Sequence, residues 1–100
     1  MFGFFELTIE QEKEFLKQKL KPGEFKVTID SDKCFAVEIP VKQRSIELKL
    51  NSYKRGSIVV DIIDPFGMIR IPRKTFHKKE SIEIFLMESL RTILISSKLT

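Results

Sequence analysis

The sequence predicts an α+β domain in which a helix, a five-stranded antiparallel meander sheet and a second, long helix follow one another over residues 1–100. Apolar and polar residues alternate with a period of two between residues 25 and 50, which is typical of strands with one buried face. Near both ends, apolar residues recur every three or four positions, as in amphipathic helices. The links between the strands are short, so neighbouring strands pair antiparallel and the helices pack on one face of the sheet. A length of 100 residues suits a single domain.

The first helix is predicted from Ile9 to Leu20. Thr8 and Gln11 form a capping box, in which the hydroxyl accepts from a backbone N–H of the first turn and the amide reaches back. Pro22 and Gly23 then end the helix.

The strands are predicted from four apolar sets that should face one common core. The loop Asp64–Gly67 fits a type I turn, and a fifth strand is predicted from Met68 to Ile71. Asp61 interrupts an apolar run, so it is expected either at an edge or bulge or paired with a base such as Arg70 on the neighbouring strand. A structural pair is favoured over a role as general base. The four sets are Phe25/Val27/Ile29, Phe35/Val37/Ile39, Ile46/Leu48/Leu50 and Ile58/Val60/Ile62.

The last helix is predicted from about Lys78 to Ser97 and is apolar on two sides. Its first apolar face covers the sheet, and Ile84, Met87 and Ile95 form a second stripe opposite, with Arg91 among them. This stripe predicts a homodimer in which the helix meets the same helix of a two-fold mate. Two alternatives stay open: scattered surface hydrophobes, or a second layer made by the N-terminal FGFF segment.

Catalytic and metal-binding motifs are absent from the sequence. There is no glycine-rich phosphate loop and no nucleophile or zinc motif, and His77 is the only histidine, without ligands at metal spacing. We therefore expect no catalytic residues, no metal, no cofactor and no enzyme activity. Cys34 is the only cysteine, which fits a reducing compartment. Apolar runs are too short to span a bilayer, and no signal peptide is found, so we expect a cytoplasmic protein without membrane contact.

Positive charge is concentrated in the second half of the chain. Residues 1–50 contain 9 Lys/Arg and 9 Asp/Glu, whereas residues 51–100 contain 9 Lys/Arg and 5 Asp/Glu. The segment IRIPRKTFHKK, residues 69–79, is basic and has no acid. Cations at the start of a helix oppose its dipole, and a bound anion would relieve this, because helix N–H groups and cations would converge on it. Such asymmetry indicates an anionic partner.

Aromatic side chains lie among these cations, and that combination favours single-stranded DNA or RNA, where charge follows the backbone and rings stack on bases. Two alternatives stay open: basic loops that only keep the domain soluble, or another anion or an acidic protein. A function of another class is a protein-interaction module, an adaptor or a small inhibitor, that uses the apolar stripe. The predicted nucleic-acid-binding residues are Arg44, Tyr53, Lys54, Arg55, Arg70, Arg73, Lys74, Phe76, Lys78 and Lys79.

Two segments resemble known families. Residues 56–94 run strand, tight turn, a strand with IRIPRK and an amphipathic helix, which resembles transcriptional coactivators that bind single-stranded DNA as dimers. That resemblance implies nucleic-acid contacts at Arg70, Arg73 and Lys74. The chain departs from the family in its additional N-terminal helix and in lacking the glycine-rich strand ends and the tryptophan. Residues 26–40, KVTIDSDKCFAVEIP, are similar to the short sheet of YbaB-type nucleoid-associated proteins.

Overall fold

The computed structural model describes residues 7–53 and 56–98, with side chains up to residue 96. It confirms the α+β architecture: an N-terminal helix, a five-stranded antiparallel sheet and a C-terminal helix. The elements are α1 (Ile9–Lys19), β1 (Lys26–Asp30), β2 (Cys34–Val41), β3 (Arg44–Tyr53), β4 (Ser57–Ile63), β5 (Lys74–Phe76) and α2 (Lys79–Lys98).

The sheet has the strand order β1-β2-β3-β4-β5, and every neighbouring pair is antiparallel. Both helices pack on the same face, where the alternating apolar residues of β2, β3 and β4 meet the apolar faces of α1 and α2 in one core. Leu16, Phe35, Leu48, Val60 and Leu86 are fully buried there. The opposite face of the sheet is covered by neither helix, and we call it the open face.

Helix α1 begins as the sequence predicts, because the Thr8 hydroxyl accepts a hydrogen bond from the backbone N–H of Gln11 at 3.4 Å. Near its start α1 approaches α2 at Glu83, and near its end Lys19 lies beside Met87 and Leu90. The contacts advance along both helices in the same direction, so α1 and α2 lie side by side and run parallel.

One of the four predicted apolar sets, Phe25/Val27/Ile29, is wrong in part, as the pairing of strand β1 shows. Its pairing with β2 shifts between Val27, which faces Val37, and Ile29, which faces Ala36. This is a β-bulge at Thr28, and an extra residue in a strand turns the following side chains to the other face. Ile29 is therefore on the open face, opposite Ala36, and does not point to the common core.

The predicted fifth strand at Met68–Ile71 is wrong, because the pairing partner of β4 is Lys74–Phe76. The backbone N–H groups of Met68 and Ile69 donate to the carboxylate of Asp64 at 3.1 and 2.8 Å. These donors are therefore satisfied within the loop and are not available to a β-ladder. The turn itself is confirmed: Gly67 N–H donates to the Asp64 carbonyl at 2.9 Å.

Within the described residues, neither helix combines the length and the hydropathy that crossing a membrane would require. The N-terminal FGFF segment, for which a covering role over α2 was an alternative, lies outside the described residues.

Candidate nucleic-acid interface

A row of charged side chains crosses the open face near the edge strand β5. Lys49 on β3 is directly opposite Asp61 on β4. Arg73, just before β5, donates its Nε–H to Asp61 at 2.7 Å. This hydrogen bond and the carboxylate charge, with a smaller contribution from Tyr53, raise the pKa of Arg73. Asp61 does pair with a base, as expected, but the base is Arg73 and not Arg70, because the pairing strand begins later than predicted.

Tyr53 lies at the end of β3, in the same alternation phase as Lys49, and belongs to the open face. Its side chain is 66 % exposed. Tyr53 also contributes to the raised pKa of Arg73, whose guanidinium lies on the same open face of the sheet. An exposed ring on a face that also carries cations can stack on a base while a cation contacts a phosphate.

Strand alternation places Arg73 and Lys74 on opposite faces of the sheet edge. Lys74 pairs with core-facing Val60, and its Nζ lies 5.6 Å from the centroid of the Phe85 ring of α2. Because β5 is the last strand of the sheet, both side chains remain within reach of a polymer that follows this edge. The basic segment therefore borders the edge and does not form a flat patch.

Arg70, Lys78 and Lys79 differ in their surroundings although all three are exposed. Arg70 donates its Nε–H to the Gly67 carbonyl at 3.2 Å in the loop before β5. Lys78 precedes the first turn of α2. Lys79 lines a groove between α1 and α2 together with Glu10, Glu14 and Glu83. Its charge is offset by these acids, so we leave Lys79 out of the interface.

Arg44 is held inside the protein by Asp64. Its Nε and Nη2 donate to the two carboxylate oxygens at 2.7 and 3.0 Å, and both side chains are almost completely buried. The hydrogen bonds from Arg44 and from the backbone N–H groups of Ile69 and Phe66 lower the pKa of Asp64 to about 2. Arg44 therefore has a structural partner, and its predicted role as a phosphate contact finds no support in this placement.

Phe76 is only 8 % exposed. Its ring centroid lies 5.1 Å from that of Phe85, so it belongs to the core and has no surface on which a base could stack. The burial of Phe76 follows from its place on β5, where it pairs with core-facing Ile58, and the sequence predicted no strand at this position. Lys54 and Arg55 lie outside the described residues.

The predicted dimer stripe is exposed along α2. Ile84, Met87 and Ile95 are 61 %, 41 % and 49 % exposed, and Arg91 is exposed among them. Two surface grooves flank the stripe on the side of α1: one is lined by Phe15, Ile84 and Met87 among others, and one by Met87, Arg91 and Ile95 among others. The structure thus places the stripe residues together on one helix face.

Glu12 is a chemically unusual residue that sequence reasoning missed. Its side chain is fully buried between α1 and α2, and neither carboxylate oxygen has a hydrogen-bond donor within the described part of the chain. Burial, and then the neighbouring carboxylate of Glu83, raise the pKa of Glu12 to about 7, although Lys79 opposes this. A protonated Glu12 can donate to Glu83. The available signal was the position of Glu12 three residues after Ile9 and four before Leu16, on the apolar face of α1.

Comparisons with known proteins identify no relative. No family model, no curated protein and no solved structure matches the chain. Among residues 7–53 and 56–98, no group of three or more His, Cys, Asp or Glu side chains is arranged to hold a metal ion. The geometry of the candidate interface is therefore the only support for its role.

Proposed function

We propose that the protein binds nucleic acid, preferably single-stranded DNA or RNA, as a homodimer and without catalysing a reaction. Phosphates would contact the cations along the β5 edge, and a base would stack on Tyr53. We also propose a cytoplasmic location, in keeping with a single cysteine that is free.

The observation that carries this proposal is the exposed ring of Tyr53 on the open face of the sheet, the face on which Lys49 and Arg73 also lie. Lys49 lies in the same charged row and adds a cation that sequence reasoning did not single out. The chain continues from Tyr53 into Lys54 and Arg55, which extends the basic sequence at this end of β3. A stacking platform bordered by cations suits a single strand, whose bases are free to leave their own stack.

The cations along the edge complete the proposed path. Arg70, Arg73, Lys74 and Lys78 follow one another along and around β5, and all four are exposed. A polymer that runs along this edge would meet them in order. Phosphate contacts of this kind position the ligand without reading its sequence, so we expect little sequence preference.

The test is a fluorescence anisotropy titration of labelled oligo-dT, a hairpin RNA and a random duplex at low salt. Tyr53→Ala should weaken binding to oligo-dT by about tenfold, since a base–aromatic stack contributes about 1–3 kcal/mol. Lys26→Gln is the matched control, because Lys26 is an exposed cation on β1, at the other edge of the sheet. No binding to any of the three ligands by protein with a folded circular dichroism spectrum would overturn the proposal.

The exposed stripe of α2 favours a second candidate function, a protein-interaction module such as an adaptor or a small inhibitor. Three large apolar side chains on one helix face are costly to leave in water, and clusters of this kind mark interaction surfaces. A pull-down from a lysate with and without nuclease separates the two functions. Partners retained after nuclease treatment and lost in Ile84→Glu would favour the interaction module.

A further inference from the structure

The exposed face of α2 is complementary to itself when two copies of the helix run antiparallel. In a two-fold antiparallel pair, each residue faces the residue at the mirrored position of the other helix. If the axis passes between positions 89 and 90, Ile84 faces Ile95 of the partner subunit. The same axis makes Glu88 face Arg91 of the partner subunit. Apolar side chains thus meet apolar ones, and acid meets base.

We propose that α2 forms a two-fold antiparallel helix pair with a second copy of this chain, held by Ile84–Ile95 contacts and Glu88–Arg91 ion pairs between subunits. The inference deepens the dimer that forms part of the proposed function, by naming its register. It requires no nucleic acid. Every contact occurs twice, because the interface is isologous.

The spacing of the four residues supports helix packing at this surface. Positions 84, 88, 91 and 95 are separated by four, three and four residues, which is the repeat that keeps one seam of a helix facing a partner helix. All four side chains are exposed in the single chain. Met87 lies beside the seam, and the mirrored position is Thr92, which is also exposed.

The charges at the centre of the seam have no partner within the described part of the chain. Glu88 and Arg91 are three residues apart on one helix, yet no ion pair forms between them or with another described residue. In the proposed register each of the two groups acquires an opposite charge across the axis. Desolvation by the flanking isoleucines would strengthen this attraction relative to bulk water.

The grooves beside α2 lie where the partner's side chains would arrive. Ile84 and Met87 border one groove with Phe15 of α1, and in the proposed register it receives Ile95 of the partner subunit. Ile95 borders the other groove with Leu90 and Arg91, and it receives Ile84 of the partner subunit.

Other registers are less favourable. Moving the axis to position 91 places Arg91 against Arg91 of the partner subunit, and like charges repel. A parallel pair places Glu88 against Glu88 and Arg91 against Arg91. Only the axis between 89 and 90 pairs both the isoleucines and the opposite charges.

Sedimentation velocity in the absence of nucleic acid tests the charge pairs. The wild-type chain should sediment as a dimer at micromolar concentration, whereas Glu88→Arg or Arg91→Glu should shift it toward the 11.7 kDa monomer. The double variant Glu88→Arg/Arg91→Glu should restore the dimer, because both pairs are then reversed together. A wild-type chain that stays monomeric, or a double variant no better than the singles, would overturn the proposal and leave the stripe to another protein or to the N-terminal segment.

Disulfide trapping tests the register. In a Cys34→Ser background, an equal mixture of the single variants Ile84→Cys and Ile95→Cys should yield a covalent dimer on oxidation. Neither variant alone should do so, since two copies of position 84 would be offset by about 16 Å along the helix pair, beyond the reach of a disulfide. Rapid cross-linking of Ile84→Cys to itself would instead indicate a parallel pair. Nucleic-acid binding by a monomer would overturn this inference and the homodimer of the proposed function, while leaving the proposed nucleic-acid binding intact.

Discussion

Two carboxylates have unusual environments, and they differ in the direction in which their pKa values move. Asp64 accepts hydrogen bonds from a guanidinium and from backbone N–H groups, which favour its charged form. Glu12 is buried against another carboxylate, which favours its protonated form. Each therefore makes the stability of the fold depend on pH in its own window.

Glu12 should make the protein less stable as the pH rises from about 4.5, its ordinary pKa, to about 7, its pKa in the fold. In that window the folded chain keeps a proton that the unfolded chain has lost, so the free energy of unfolding falls by up to about 1.4 kcal/mol per pH unit. Glu12→Gln should remove this slope, because an amide donates to Glu83 at every pH. Urea unfolding at several pH values measures it. Glu14→Gln, an exposed change on the same helix, should retain the slope, and an unchanged slope in Glu12→Gln would contradict the prediction.

Asp64 should stabilise the fold at neutral pH and stop doing so in acid. Its pKa is about 2 in the fold against an ordinary value of 3.8, so its contribution is complete above about 3.8 and is lost as the pH falls through about 2. Asp64→Asn should lower the urea midpoint at pH 7 and flatten the decline in acid. Asp32→Asn, in the exposed turn before β2, is the control. The same acid profile in Asp64→Asn and wild type would show that Arg44 and the loop do not depend on this charge.

At the scale of the elements, strand phase decides which side chains stabilise the core. β3 is the central strand, and Leu48 on its helix-covered face is fully buried while its neighbour Lys49 is half-buried on the open face. The same alternation separates Arg73 from Lys74 across β5. Along one strand, side chains that face the core therefore stabilise the fold, and those between them face the proposed interface.

Leu48→Ala should cost roughly 2–5 kcal/mol of unfolding free energy, because truncating a buried leucine leaves a cavity. Lys49→Ala should cost less than about 1 kcal/mol, since partly exposed charge pairs contribute little. Denaturant midpoints of the two variants make the comparison. Equal shifts in the two midpoints would mean that the phase of β3 is wrong.

At the scale of the molecule, the placement of the cations sets the salt dependence expected of the proposed nucleic-acid binding. Four exposed cations along the β5 edge, Arg70, Arg73, Lys74 and Lys78, form the proposed phosphate contacts. Each contact with a single strand contributes about −0.7 to the slope of log K against log salt, so we expect a slope of about −2.8. Arg73→Ala/Lys74→Ala should flatten it to about −1.4 without loss of the fold. Titrations at several salt concentrations measure both slopes, and identical slopes would place the phosphates elsewhere.

The whole-molecule arrangement also separates the two proposed surfaces. The proposed nucleic-acid path follows β5 and the open face, whereas the proposed dimer seam lies on the exposed side of α2, from Ile84 to Ile95. We therefore expect substitutions in one surface to leave the residues of the other in place. Because the surfaces are separate, the nucleic-acid titrations and the sedimentation experiments test the two proposals independently.

The sequence by itself determined the architecture. Its main signals are local: period-two alternation, the capping box at Thr8 and the turn at Asp64–Gly67. They depend only on the apolar–polar pattern and on the backbone preferences of neighbouring residues, so they can be read directly from the sequence. The exposed stripe of α2 was also predictable, because helical geometry orders residues on a wheel. The face on which Ile29 lies and the position of the fifth strand were not predictable. The bulge at Thr28 and the hydrogen bonds to Asp64 change which residues pair.

Only the tertiary structure decided which side chains are free to act. Arg44 and Phe76 look like members of a basic, aromatic surface in sequence, yet one is bound by Asp64 and the other packs on Phe85. Lys49 acquires its place beside Asp61 and Arg73 through strand register, and Glu12 acquires its raised pKa through the approach of Glu83. The physical reason is common to all of them: burial, pairing and charge proximity depend on residues distant in sequence, and these meet only once the chain has folded.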